Sequence, residues 1–526
     1  MLVAEAGYYV PLTDQDREIF DLIVPPDHYL RRVQAAVDFE RFRPLLLGHY
    51  DPTQGRPPLE PLLLLKLEFL QFEYGLSDRE VIKQSQVNMA FRLFLNLSLR
   101  SELPHPSLLT YFRQRLGPQT HQQIFQDLVG QARQQGLVKD RLRLKDATHV
   151  LANIAVPSTL TLVAEARDQL LEAAGPLDWE RVAQEQAEAQ RLDTATAQLP
   201  DAQRLVHRVT HLRTVVAWAD ELLASAQRVV PTEDPVRSRL RRALDLAHKI
   251  LHDRDDPEAP DKTLSVHDPE ARKGWHHHWF TGYSLDITMD ADSEMITAID
   301  VLPANGDEAA NATRLIAQEE QAQGNDIETL SIDGIGFRGD LIDQWSDPQG
   351  LNLEVIVPPT EPAPAGGFPP EAFTLDAAGR TLTCPAGQTT QSRTRNEKDT
   401  GWKYRFSASQ CRGCPLRAKC LAKPETTTGG RTVIKNDHEA TYRAAREKAK
   451  TPRYREVRAQ HPRVERKLGE LARWHDGRHA RYWGRAKVLI QELLIGFVVN
   501  VQRMLKLIES ARAATPRTVR AGLAEV

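Results

Sequence analysis

Three acids sit where strand and helix patterns could bring them together: Asp146 after the strand-like run Arg141–Lys145, Asp333 at the end of ETLSID, and Glu465 in VERKLGELARW. Carboxylates converging from separate elements can hold two divalent cations roughly 3.5–4 Å apart, which activate an oxygen nucleophile and stabilise an in-line phosphoryl transfer. Mg²⁺ takes a few carboxylates together with water and phosphate oxygens, so Mg²⁺ or Mn²⁺ is the expected ion. Glu447, Glu456, Glu470 and Glu492 compete for the third place. Glu465 is preferred because it adjoins the apolar stripe Val464, Leu468, Leu471 and lies among Arg463, Arg466 and Lys467.

A second chemistry belongs to sulfur. Cys384, Cys411, Cys414 and Cys420 are the only cysteines and crowd into one stretch, which is not how a secreted disulfide framework is spread. A Cys-x-x-Cys knuckle with two further thiolates matches tetrahedral structural zinc, with an iron–sulfur cluster as the alternative. Thiolate coordination would order a Pro- and Gly-rich segment, including PPTEPAPAGGFPP, that offers few residues for a core of its own.

Charge supplies a third chemistry. The net charge is -3, yet Arg431–Lys487 carries 17 Lys or Arg against 7 Asp or Glu, while Ala155–Pro260 carries 13 against 18. Arg463, Arg466, Lys467, Arg473, Arg478, Arg481, Arg485 and Lys487, with Trp474, Tyr482 and Trp483 between them, fit a phosphate-binding surface with stacking groups. Arg113 and Arg115 fall in a short helix after Pro106-Ser107, expected to end at Gly117. With the capping box Ser77-Asp78-Arg79-Glu80 opening an earlier helix, a helix-turn-helix-like DNA reader is expected there.

The elements that must position these groups follow from periodicity. Residues 1–118 read as a helical N-terminal domain with a break at Arg56-Pro57-Pro58. From Arg141 a period of two appears, with Leu142, Leu144 and Asp146 on the buried side and Arg141, Arg143 and Lys145 facing solvent. Residues 155–260 form a helical insertion whose seam is Leu205, Val209, Leu212, Val216, Ala219 and Leu223. Strands at 279–290 and 294–304, a helix through NATRLIAQEEQAQ, a strand in IETLSIDGIG, a helix near GDLIDQW and a strand in LNLEVIVPP complete an α/β order. That order is RNase H-like: a catalytic core of 119–154 with 261–358 and 430–526, interrupted by a Cys-rich metal-binding insertion at 359–429.

At 526 residues and 41% hydrophobic content the chain can bury more than one core. No run of eighteen apolar residues occurs, and MLVAEAGYYV lacks a basic region before an apolar one, so a cytoplasmic protein with no membrane partner is expected.

The motifs PLEPLLLLKLEFLQFEYGLSDREV, DATHVLAN, SVHDPEARKG, TGYSLDITMD, LPANGDEAAN, SIDGIGFRGD and RVERKLGELARWHDGRHARYWGRAKVLIQELLIGFVVNVQRML occur in this order over most of the chain. In that order the sequence resembles the DDE transposases of the bacterial insertion-sequence 1182 group. The resemblance implies a catalytic triad of Asp146, Asp333 and Glu465, binding to terminal inverted repeats, strand cleavage, and attack of a 3′-hydroxyl on target double-stranded DNA. It also implies a homo-oligomer on DNA in the bacterial nucleoid. Gly334-Ile335-Gly336-Phe337 departs from the family's basic residue, glycine and tyrosine, so no basic role is carried to that turn. A nuclease, or a domesticated DNA-binding protein that no longer transposes, is the alternative reading.

Overall fold

The computed structural model describes residues 12–51, 59–226, 234–256, 258–276, 278–360, 367–397, 400–421, 423 and 428–514. The N-terminal MLVAEAGYYV, the Arg56-Pro57-Pro58 break and the centre of PPTEPAPAGGFPP lie outside them. The protein mixes helix and sheet, with 56% helix. It divides into two compact units, one of Met1–Lys139, Asp146–Gly324 and Val464–Val526, the other of Asp140–Lys145 and Asn325–Arg463.

In the first unit the N-terminal helices pack through aromatic rings: Phe39, Phe42 and Phe69 meet Phe497 of the last helix, Arg485–Ala514, and Phe94 packs on Phe39 and Phe69. Ser77 caps the helix Asp78–Val87 with the expected reciprocal bonds to Glu80. The helix begun at Ser107 does not stop at Gly117. That residue adopts φ 65°, ψ 178°, and Pro118 starts a second helical run to Gln134. Glycine supplies the left-handed kink, and proline at a first helical position forfeits no hydrogen bond, so a break becomes a bend.

Three strands form the sheet of this unit with the Asp146 end of β1 (Arg143–Leu151): β2 (Arg272–His276), β3 (His278–Asp290) and β4 (Ile296–Pro303). β3 is antiparallel to β2 over its first residues and to β4 from Tyr283 onward. β1 lies on the other side of β3, so closely that a Cβ on Gly282 would stand 2.0 Å from the Val150 carbonyl oxygen. β2 was not expected from the sequence, whereas β3 and β4 form as the predicted hairpin. The last helix clamps β4: Asn500 Oδ1 accepts from the Ile296 N–H at 2.8 Å and its Nδ2 donates back to the Ile296 carbonyl at 2.7 Å. By length and composition this helix could cross a membrane, but 83% of its most apolar stretch is buried within the protein.

The described residues of the segment 155–260 make four helices, Thr159–Ala174, Trp179–Ala195, Asp201–Ala226 and Pro235–Asp255, around their own apolar core. Leu212, Val216, Ala219 and Leu223 are buried there and Leu205 and Val209 pack against them, so the seam is used within the chain.

In the second unit Arg143 and Leu144 of β1 pair in parallel with Leu330 and Ser331 of β5 (Thr329–Ser331), which pairs in parallel with β6 (Glu354–Ile356). Solvent was expected on one face of β1, yet Arg143 and Lys145 are as buried as Leu142 and Leu144. A strand with neighbours on both faces hides its cations as well as its leucines. Beyond β6 come two small antiparallel three-stranded sheets, Thr374–Leu375 with Leu382–Thr383 and Thr389–Thr390, and Arg393–Asn396 with Gly401–Arg405 and Thr432–Asn436. They enclose Phe373, Leu382, Tyr404, Phe406 and Val433, so this segment does have an apolar core, contrary to expectation.

Candidate functional site

Asp146 lies in the first unit, half-buried on β1, with its Oδ1 accepting from the Ala147 N–H at 2.8 Å. Glu465 lies in the same unit, exposed in the first turn of the helix Pro462–Trp474. The helix forms because Val464, Leu468 and Leu471 make a buried stripe, as the spacing predicts. On its open side Glu465, Arg466, Gly469, Glu470, Arg473 and Trp474 line a groove of about 530 Å³. Asp333 is in the second unit, immediately after β5, at the N-cap of the one-turn helix Gly334–Gly336, where its side chain makes no capping bond.

The donors are hard carboxylate oxygens, the chemistry that Mg²⁺ or Mn²⁺ requires. Among the described residues, however, no three His, Cys, Asp or Glu side chains are grouped so as to hold an ion.

The basic residues separate by burial. Arg466, Arg473, Arg485 and Lys487 are exposed and Arg463 is half-buried. Lys467 instead turns inward, 4% exposed, with its Nζ donating to Glu470 at 2.6 Å. Arg481 donates to the Leu76 carbonyl at 3.3 Å and lies over the Phe72 ring at 5.0 Å, which gives it an internal role. Arg113 corrects the helix-turn-helix expectation most clearly. It is 6% exposed, pairs with Asp78 at 2.5 Å and Glu68 at 3.6 Å, and stacks on Tyr482 at 5.3 Å. An apolar environment makes such a cation seek carboxylates of its own chain. Arg115, two residues on, is exposed over Tyr50 at 4.5 Å.

The stretch after the Glu465 helix runs beside β1. Leu151 donates to the Arg478 carbonyl at 2.7 Å, Ala480 donates to the Leu151 carbonyl at 2.9 Å, and Arg478 Nη2 donates to Thr148 at 3.4 Å. Trp483 donates from Nε1 to the Asn153 carbonyl at 2.9 Å. Buried Asp268, from SVHDPEARKG, accepts from the Tyr283 hydroxyl at 2.5 Å and the Gly484 N–H at 3.1 Å. Motifs far apart in sequence are thereby tied to the strand that carries Asp146. Tyr482 and Trp483 contribute to this scaffold; Trp474, 78% exposed, is more open than Trp483, at 49%.

Sequence reasoning passed over the run Trp275-His276-His277-His278-Trp279, although five aromatic or imidazole residues in a row were a visible signal. His149 of β1 faces it, with ring centroids 5.1 Å from His276 and 5.6 Å from His278. Burial, then Arg478 and the surrounding histidines, pushes the His149 ring down to about 4. In the second unit, His461 contacts the Ser331 hydroxyl at 3.1 Å, and burial followed by Arg458 and Lys145 pushes it down to about 3. Both rings bind a proton at lower pH when folded than when unfolded, so the unfolded chain takes up more protons below the ordinary value of 6.5. Stability should therefore fall as pH drops from 6.5 toward 4, and further toward 3 for His461. Melting curves of wild type and His461→Gln between pH 7 and 4 check this; equal pH slopes would exclude His461 as a source.

All four cysteines line one small cavity with Phe373, Phe406 and Arg431. Cys411 Sγ accepts from the Arg431 N–H at 3.4 Å, and burial pushes the Cys420 thiol up.

Residues 18–115 match the family described as a transposase domain (DUF772), and residues 383–505 match a transposase DDE domain. The second match begins within the cysteine-bearing segment and includes Glu465, while Asp146 and Asp333 precede it. Neither the curated proteins nor the solved structures yield a match to the chain. The chain is thus similar to a transposase domain in its N-terminal part and to a transposase DDE domain in its C-terminal part.

Proposed function

We propose that the chain is an insertion-sequence transposase of the 1182 group that binds its element's terminal inverted repeats, cleaves there and joins the 3′-OH ends to target DNA. The observation that carries this reading is the DDE-domain match over residues 383–505, in which Glu465 stands on an open helix face beside Arg466 and Arg473. In this reading Asp146, Asp333 and Glu465 would be the residues that hold Mg²⁺ or Mn²⁺ in an RNase H-like core. Bound cations would activate the nucleophile and stabilise the charge at the transferred phosphorus. In joining, the 3′-oxygen forms a bond to a target phosphorus and the former 3′-bridging P–O bond breaks, so no external energy source is needed. Arg466 and Arg473 would hold flanking phosphates, and the exposed Arg115, Arg485 and Lys487 and the half-buried Arg463 would add further phosphate contacts. A homo-oligomer would pair the two ends.

Incubating the protein with end-bearing DNA, a target plasmid and Mg²⁺ should give joined products. Nicking without joining would favour a nuclease; binding without cutting would favour a domesticated DNA-binding protein.

Binding should weaken steeply with salt, because each neutralised phosphate releases counterions and contributes a slope of about 0.9 in log–log form. Arg466→Glu with Arg473→Glu should flatten that slope by about 1–2. An unchanged slope would place the phosphates elsewhere.

For the cysteine cavity we propose a structural metal, zinc or in its place an iron–sulfur cluster; the thiols are not grouped as ligands in this structure, and the reading rests on the knuckle Cys411-x-x-Cys414 and on the cavity that all four cysteines line. Elemental analysis of the purified protein should find about one zinc per chain, or iron with labile sulfide. Neither, with four freely titratable thiols, would leave the small apolar core as the segment's sole support.

A further inference from the structure

We infer that the cross-strand pair Trp275 and Trp279 of β2 and β3 is a stacking site for an unpaired nucleobase, set beside the strand that carries Asp146. The inference rests on the DNA reading above and adds a site to it. Trp275 and Trp279 are opposed across the two strands, with ring centroids 5.2 Å apart and planes at 70°. Both lie at the surface, 62% and 61% exposed, where an indole kept only to staple a hairpin would be expected to fold against the sheet. Their surroundings are cationic or imidazole in character. Lys273 Nζ stands 4.7 Å from the Trp279 ring, His276 and His278 flank the pair in sequence, and His149 backs it from β1.

Arg478 borders His149 through Thr148, and His479 is paired with Asp476 at 2.6 Å. Among the described residues no three histidines here are grouped to hold an ion. Open indole faces with a cation alongside are what a base and its phosphate require, and they accept any base because every base has a π-face. His149 follows Asp146 by three residues, roughly 10 Å along an extended strand. A base held by the pair would thus belong to a nucleotide near the one presented to Asp146, as expected where an end is opened for cutting. The exposed rim favours an unpaired base over intact duplex, whose bases are already stacked on one another.

The test compares wild type, Trp275→Ala/Trp279→Ala and Trp275→Phe/Trp279→Phe for binding to a single-stranded oligodeoxynucleotide and to an intact duplex. Wild type should bind the single strand with quenched tryptophan fluorescence. The alanine pair should weaken that binding by about tenfold or more, while the phenylalanine pair keeps most of it and duplex binding changes little. Equal single-strand affinity in all three proteins would overturn the site while leaving the DNA reading intact. So would a change in oligomeric state by light scattering with single-strand binding preserved, which would make the pair a contact between protein copies. Failure of wild type to bind either DNA would overturn the transposase reading and this site with it.

Discussion

Asp146→Asn, Asp333→Asn and Glu465→Gln should each reduce strand cleavage and transfer by more than the roughly 10²–10³-fold that loss of one charge-stabilising group costs an enzyme. Each change removes a negative charge at nearly constant volume, and the surroundings tolerate it. Asn at 146 keeps the oxygen that accepts from the Ala147 N–H. Glu465 is exposed on its helix. Folding and end-binding should accordingly persist, which gel-shift and circular dichroism measurements can check alongside the cleavage assay. If Glu465→Gln cut DNA at near wild-type rate, the third acid would be elsewhere. Glu470 would then come first: it shares the groove, whereas Glu492 is 1% exposed with its carboxyl pushed well above the usual range by burial.

Arg113→Ala should cost about 3–5 kcal/mol of stability, the usual penalty for breaking a buried ion pair from one side. Glu68 is fully buried, and besides Arg113 it meets His121 at 3.4 Å. Asp78 also receives Gln71 Nε2 at 2.6 Å, so removing the guanidinium strands several polar groups at once. Arg115→Ala, at an exposed site, should shift stability by less than about 1 kcal/mol. Urea denaturation of both variants decides the matter. A weaker grip on DNA in Arg113→Ala at unchanged stability would restore the residue to a DNA-facing role.

The succession of strands and helices from β3 to β6 was legible because each is short, strongly periodic and bounded by turn residues. The same holds for the apolar stripe Val464, Leu468, Leu471 and for the seam of the four-helix segment, where local spacing alone says which face must leave water. Charge segregation toward the C-terminal third was equally plain, since counting needs no geometry. What spacing cannot state is which faces acquire neighbours. Arg143 and Lys145 alternate with leucines as if solvent lay on one side, but tertiary packing covers both faces of β1. Arg113, Lys467 and Arg481 belong by type to a phosphate surface, but acids, carbonyls and rings brought from distant segments claim them. Conversely, Trp275 and Trp279 drew no reading from the sequence, and only the pairing of β2 with β3 sets them opposite one another at the surface. Composition and period are properties of the chain by itself and were readable from it. The partner that satisfies a buried charge, or the absence of cover over an indole, arises from contacts far apart in sequence, and folding alone decides them.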